Sequence, residues 1–333
     1  MLTWAFFNLR LESYIEAKEN GVSNYVCPQP LMPKLSEIGN SDAVDSVYAA
    51  RAVVYVEADA DSDVFARIVG MNNAQRVAFK APRADGGGYK AVCTQVDQER
   101  LNGNHRVFGL IDGESAATLG SLCQLIAATS AIFPLTNYDG VFCLAEHELE
   151  NLMLLHGDIC CFLVNDVELA NLSTRDRAEI EKTLKDLTRR FLAAAILKYA
   201  ALQLRHRGKQ YNLVNVGRFQ ERTTSTKSIR TAIQQEIVNS GLDWDTFRDQ
   251  VIAIRRALRQ RFRDEGLSKE ERSFHMLRLS DGKGLMKSLR SVYNASKKMD
   301  GHLVNTLVGS NYAGVFRGEI LTAVAGASAL NGT

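Results

Sequence analysis

The 333-residue chain has no run of 18 or more apolar residues, so no membrane span is expected. Its first residues, MLTWAFFNLRLESY, carry neither a basic n-region nor a small-residue cleavage site, so they do not read as a secretion signal. Six cysteines, Cys27, Cys93, Cys123, Cys143, Cys160 and Cys161, form no C-x-x-C pair, which argues against a zinc site. Most sit in apolar settings, as small buried hydrophobes do in a reducing compartment. A cytoplasmic protein is therefore expected. No G-x-G-x-x-G follows the first strand-like run, which disfavours a nicotinamide-binding dehydrogenase. Gly86-Gly87-Gly88 is not followed by G-K-S/T and so is no P-loop; it reads as a turn, or as backbone that lets a phosphate approach. Proline is scarce, and three of the five fall in CPQPLMPKL, so residues 1–50 read as an irregular extension.

What is present is ordinary in bulk, 46% hydrophobic and 23% charged, but unevenly charged along the chain. Residues 1–150 carry 11 basic against 19 acidic side chains, a net of −8, and residues 189–263 carry 16 against 5, a net of +11. An acidic half and a basic arm follow, the arm suited either to a polyanion or to a solvated helical face. In the arm, IRRALRQRFR brings Arg255, Arg256, Arg259 and Arg263 near one helical face, where they can grip nucleic-acid phosphates, dock an acidic partner or simply be solvated. Tyr199, Tyr211, Phe219 and Phe247 are scattered and read as core residues.

The runs RAVVYVE (51–57), RVAFKA (76–81), RVFGLID (106–112) and the start of GVFCLAEHELENLMLL (140–155) have the apolar, β-branched character of buried strands. Helical patterns separate them, with 115–130 read as one helix and 89–101 as another. This alternation predicts a parallel sheet with helices on both faces over 51–170. From 171 to 333 the pattern is mainly helical: a stretch near 175–208 reads as one long helix or two, and 311–330 as a packed terminal element.

Ligands of open α/β sheets bind beyond the carboxyl ends of the strands. The first strand ends in VYVEADADSD, the third in LIDGES, and the fourth is followed by EHELENL, so three acidic clusters are expected on one rim. Clustered carboxylates repel unless a cation neutralises them, and oxygen-only donors suit Mg²⁺ or Mn²⁺. Glu57, Asp112 and Glu114 are the expected ligands, the last two because residues i and i+2 of an extended end point the same way. Asp59, Asp63, Glu146 and Glu148 read instead as helix caps and first-turn acids, and His147 as incidental.

V-E-x-x-x-D-x-x-x-F at Val56 to Phe65, an apolar strand closing on D-x-E, Glu150-Asn151-Leu152 and G-K-G-L-M-K at Gly282 to Lys287 together resemble the Toprim fold. In particular they resemble OLD-related Toprim nucleases that bacterial anti-phage loci such as the PARIS system place beside an ABC-type ATPase. The resemblance covers about 51–155 well, the helical half loosely and 1–50 not at all. It implies a Rossmann-like Toprim endonuclease for RNA, with transfer RNA a candidate, or DNA. Glu57 would be a metal ligand and acid/base, Asp61, Asp112 and Glu114 metal ligands, Glu150 a ligand or orienting acid, and Lys283 a stabiliser of the phosphate transition state, its alternative being a surface lysine at a helix start. An ATPase partner would hold the effector, and release would allow a homodimer to cut. Two departures stand out: the family's usual glycine after the first glutamate is Ala58, and the second acid of its D-x-D is Glu114. They keep open a catalytically inactive Toprim subunit that binds nucleic acid or its partner; a primase-like nucleotidyl transferase is a further rival.

Overall fold

A computed structural model of the chain describes residues 51–82, 87–165, 177–206, 226–239, 241–296 and 298–329. The expected extension at 1–50, along with Gly86, Tyr211 and Phe219, lies outside these residues.

Five strands form one sheet: β1 (Ala52–Val56), β2 (Val77–Lys80), β3 (Val107–Ile111), β4 (Ile132–Pro134) and β5 (Val141–Leu144). Their order is β2-β1-β3-β5-β4, with β4 antiparallel to β5 and the other pairs parallel. Every residue of β1 and β3 is buried. Alternate residues of a strand face opposite sides, so both faces of these central strands are covered, which is why their sequences are continuously apolar. Gly109 in β3 marks a close approach of the helix Gly88–Leu101 to the sheet, since a Cβ there would meet Val92 Cγ1 at 2.8 Å.

The crossovers are helical. α1 (Asp59–Val69) links β1 to β2, and α2 (Gly88–Leu101) links β2 to β3. Phe65 of α1 stacks on Phe316 at 5.4 Å and tilts against Phe79 of β2. After β3 the expected single helix over 115–130 is two short ones, α3 (Gly113–Thr118) and α4 (Leu122–Ala127). Gly120 between them takes a positive φ of 79°, which no continuing helix accommodates. The edge strand β4 is the second departure from expectation. It has three residues and ends on Pro134, too short for a period to register and tolerable only at an edge.

The remainder is helical: α5 (Leu149–His156), α6 (Ile159–Asn165), α7 (Arg177–His206), α8 (Thr226–Asn239), α9 (Trp244–Asp264), α10 (Lys269–Arg278), α11 (Gly282–Tyr293), α12 (Lys298–Val308) and α13 (Asn311–Ala329). The long stretch is one 30-residue helix, α7, which packs against α3, α6, α9, α10 and α11. Its residues Leu187, Phe191, Ala194 and Ala195 join the same hydrophobic core as the sheet. Arg278, at the end of α10, is buried and donates to the carbonyls of Leu125, Ile126 and Ala128, closing the C-terminal end of α4 with a cation. No helix among the described residues is long and apolar enough to cross a membrane.

Gly113 ties the sheet to the loop after β5. Its N–H donates to the Glu146 carbonyl at 3.0 Å, and a Cβ would collide with that same oxygen. The nearest obstacle is the Glu146 backbone, which cannot yield as a side chain could, and Leu125 Cδ1 lies at 2.8 Å. Gly113→Ala is expected to cost roughly 1–3 kcal/mol, read as a lower urea midpoint with an unchanged far-ultraviolet circular dichroism spectrum.

Candidate functional site

In an open sheet, the crevice forms where consecutive crossovers leave a strand in opposite directions. From β1 the chain passes to β2 on one side, and β3 then pairs on the other. Glu57 follows β1 directly and Asp112 follows β3 directly, so both stand at this switch point. Glu57 Oε1 accepts the Asp112 N–H at 3.0 Å and the Ser115 hydroxyl at 3.1 Å. Gly87 and Gly88, both with positive φ, close over Glu57 from the other side, and the Gly88 N–H donates to its carbonyl. Burial pushes the Glu57 carboxyl up, against the lowering effect of those two hydrogen bonds. Burial, then the charge of Glu57, push the Asp112 carboxyl well above the usual carboxylate range, with Lys283 opposing. These are carboxylates held together at an energetic cost that a cation would relieve.

Lys283 comes from the far end of the chain. It lies in the first turn of α11, with Nζ 3.9 Å from Asp112 Oδ2 and 3.5 Å from Glu148 Oε1, and its side chain is 61% exposed. Its backbone N–H also donates to Glu148 Oε2 at 2.9 Å, so Glu148 lies at a helix N-terminus, where negative charge is favoured. Burial would lower the Lys283 ammonium, but Glu148, Glu150 and Asp112 outweigh it and raise it.

Two of the motifs that carry the resemblance meet physically. Asn151 Oδ1 accepts the Glu148 N–H at 3.0 Å, and its Nδ2 donates to the Leu277 and Ser280 carbonyls at 2.7 and 3.0 Å. A Cβ on Gly282 would run into Asn151 Oδ1, and one on Gly284 would meet Phe191 Cε1 at 2.6 Å. The glycines that flank Lys283 are therefore set by close packing, and Asn151 clamps the loop that delivers the lysine. Asp61, in the first turn of α1, and Glu150, in the first turn of α5, face the same cation. Burial raises both carboxyls and Lys283 lowers them.

Glu114 behaves differently from its expectation. Asp112 occupies the N-cap position of α3 and Glu114 already lies in the first turn of that helix, so the two-residue period of a strand does not apply to them. Glu114 is ion-paired with Lys198 of α7 and lies 3.4 Å from Nε2 of the fully buried His147. Burial alone would raise its carboxyl, but His147 and Lys198 outweigh burial and hold it at about 2. His147 Nδ1 is 2.6 Å from the Tyr199 hydroxyl, which gives a continuous polar chain Lys198–Glu114–His147–Tyr199. Glu114, His147 and Glu148 each offer one donor atom within 4.8 Å of the others, a second grouping able to hold a metal ion.

His147, Glu148, Lys198 and Tyr199 thus stand together at the site: the sequence puts Glu148 on the acidic rim but favours a capping role for it and an incidental one for His147, and it does not point to Lys198 or Tyr199. Lys198 left a signal: it is the one charged residue in the apolar run Phe191–Leu202. Arg255, Arg256, Arg259 and Arg263 lie on α9, away from these acids, and line a shared groove. Compared with protein-family models and with curated proteins, the chain matches none.

The Glu114 pairing makes a sign-definite prediction. A carboxyl lowered from 4.5 to about 2 stabilises the fold fully above its unfolded value and loses that contribution as pH falls towards 2. Glu114→Gln is expected to lose roughly 2–3 kcal/mol at neutral pH. In urea titrations the gap to wild type should stay constant above about pH 5 and narrow below it; a gap that ignores pH would refute the pairing.

Proposed function

We propose that the chain is a Toprim-type, divalent-metal-dependent endonuclease acting on RNA or DNA. The observation that carries this reading is the pair Glu57 and Asp112. They are half-buried at the switch point of a parallel sheet, with both carboxyls raised and an exposed lysine beside them. The donor set is carboxylate oxygen, which fits Mg²⁺ or Mn²⁺. A bound divalent cation would supply charge neutralisation and hold a phosphate against the rim.

The rest falls to the chain's own residues. Glu57 Oε1 is occupied by the Asp112 N–H and Ser115, which leaves Oε2 as its free donor, facing Gly88. Asp112 and Asp61 add further carboxylate oxygens from either side of the crevice. Lys283, largely exposed and held cationic, is placed to meet the developing charge on a phosphate. Ala58 offers no obstacle. Its φ of −146° is ordinary extended backbone, so the family's usual glycine is not required there. By the same resemblance, an ABC-type ATPase partner, a homodimeric active form and a role in anti-phage defence in the cytoplasm extend the reading.

One observation favours a second reading, a non-catalytic Toprim subunit. Lys198 and Lys283 already neutralise Glu114 and Glu148, so part of the acidic rim is satisfied without a metal.

Purified protein incubated with total tRNA, single-stranded RNA and plasmid DNA separates the two. Cleavage is expected with Mg²⁺ or Mn²⁺ and not with EDTA. Glu57→Gln, Asp112→Asn and Lys283→Met should each lower it at least about a hundredfold. Without metal, Asp112→Asn should also raise the thermal midpoint, because it removes a repelling charge, by about 2–4 °C per kcal/mol relieved. Folded wild-type protein that cuts none of these substrates and shows no Mg²⁺-dependent thermal shift would leave the non-catalytic reading standing.

A further inference from the structure

On the side of α7 away from the acidic rim, the helical half opens a second site. A cavity of about 710 Å³ lies between α7, α8 and α9. At 100° per residue, Arg189, Ala193 and Ile196, which line it, are roughly opposite Lys198 on the same helix. The cavity therefore lies about one helix diameter, ~10 Å, from the Lys198 side chain and shares no residue with the acidic site.

Its chemistry is divided. The floor is apolar, formed by Leu192, Ile196, Phe247 and Val251, with Trp244 and Phe262 as half-buried aromatic walls. The rim is cationic: Arg189, Arg230, Arg248, Arg255 and Arg259. Arg189 and Arg248 have acidic neighbours on their own helices. Among the described residues, no carboxylate lies within ion-pair distance of Arg230, Arg255 or Arg259, and all three are exposed. Arg255 and Arg259 also line a second groove of about 580 Å³ that continues along α9 with Arg256 and Arg263. Arg255, Arg259 and Arg263 stand on successive turns of one helix, ~6 Å apart, a spacing close to that of consecutive phosphates along a nucleic-acid strand.

We infer that this is a nucleotide-reading site. The cavity takes one unstacked base of a single-stranded or looped nucleic acid, and the arginines of α9 hold the phosphates that follow it. The volume falls within the ~300–1,000 Å³ of small-molecule sites. Aromatic and apolar walls accept the face of any base. Arginine, unlike lysine, offers a planar fork that engages phosphate bidentately and also stacks. A lipid or acyl chain would account for the apolar floor but not for the arginine track that runs on beyond it. A duplex keeps its bases inside the stack and cannot fill the cavity without extruding one.

The test is binding to the full chain in EDTA, which silences any metal-dependent cleavage and so separates this inference from the proposed nuclease activity. The probes are a short fluorescein-labelled single-stranded RNA, its DNA counterpart, the same strands carrying abasic positions, and the corresponding duplex. Single strands are expected to bind best, to lose affinity with abasic substitution and to quench tryptophan fluorescence. Arg255→Ala/Arg259→Ala should weaken binding at least about tenfold and reduce the log–log salt slope by about 1.4, two phosphate contacts at ~0.7 each. Trp244→Leu should weaken it about five- to hundredfold and abolish the quench while leaving the salt slope unchanged; Trp244→Phe should restore most of the affinity. Equal affinity for abasic strands, duplex binding as tight as single-strand binding, or no binding by folded protein would each overturn the inference, the last pointing to a protein partner.

Discussion

Two carboxyl groups, Glu57 and Asp112, are pressed together at the carboxyl ends of adjacent buried strands, and much of the surrounding structure answers that repulsion. The strands leave no slack. β1 and β3 are covered on both faces and paired in register from Val53 with Val107 to Val56 with Leu110, so the residues that follow them emerge side by side. Neutral donors take up part of the strain, the Asp112 N–H and the Ser115 hydroxyl both turned on one oxygen of Glu57. The remaining charge is met by Lys283, brought in from the far end of the sequence by a loop that Asn151 fastens with hydrogen bonds to two carbonyls. Packing energy from the common core supports a cluster that would not assemble by its own electrostatics.

The long helix α7 packs against α3 beside the sheet and against α6, α9, α10 and α11 of the helical half. One of its faces is embedded against the sheet side, with Phe191 closing on Gly284 and accepting the Asp281 N–H at its carbonyl, and Lys198 ion-paired with Glu114. The opposite face lines the arginine-rimmed cavity. One helix carrying both surfaces sets their separation, as the proposed strand-binding cavity and the proposed catalytic rim would require.

The parts of this arrangement legible in the sequence are those governed by local pattern. Continuous β-branched runs marked the buried parallel strands, since covering both faces removes the alternation a half-exposed strand would show. Acids directly after those runs marked the rim. What failed to show depends on residues far apart in sequence. His147 is flanked by glutamates and looks solvated, yet its N–H is held by the Arg278 carbonyl and its ring lies against Tyr199. Glu148 was read as a helix cap, which it is; that it also faces Lys283 depends on α11, more than a hundred residues on. The strand-period argument for D-x-E does not hold, for a different reason. Asp112 occupies the N-cap position of α3, so the two-residue period of a strand ends before Glu114, and within a helix a carboxylate two positions on points elsewhere.

The same spacing explains why a glutamate at 114 need not be a defect. Glu114 leaves α3 towards α7 and reaches both Lys198 and His147, and the extra methylene relative to aspartate lengthens that reach. Its partners hold it ionised at any ordinary pH, whereas Asp112, one residue past the strand, is pushed towards the neutral form. Two acids separated by a single glycine therefore carry opposite electrostatic loads, one raised by burial and a neighbouring carboxylate and one lowered by His147 and Lys198. Gly113, its N–H held by the Glu146 carbonyl, fixes the backbone between the two acids.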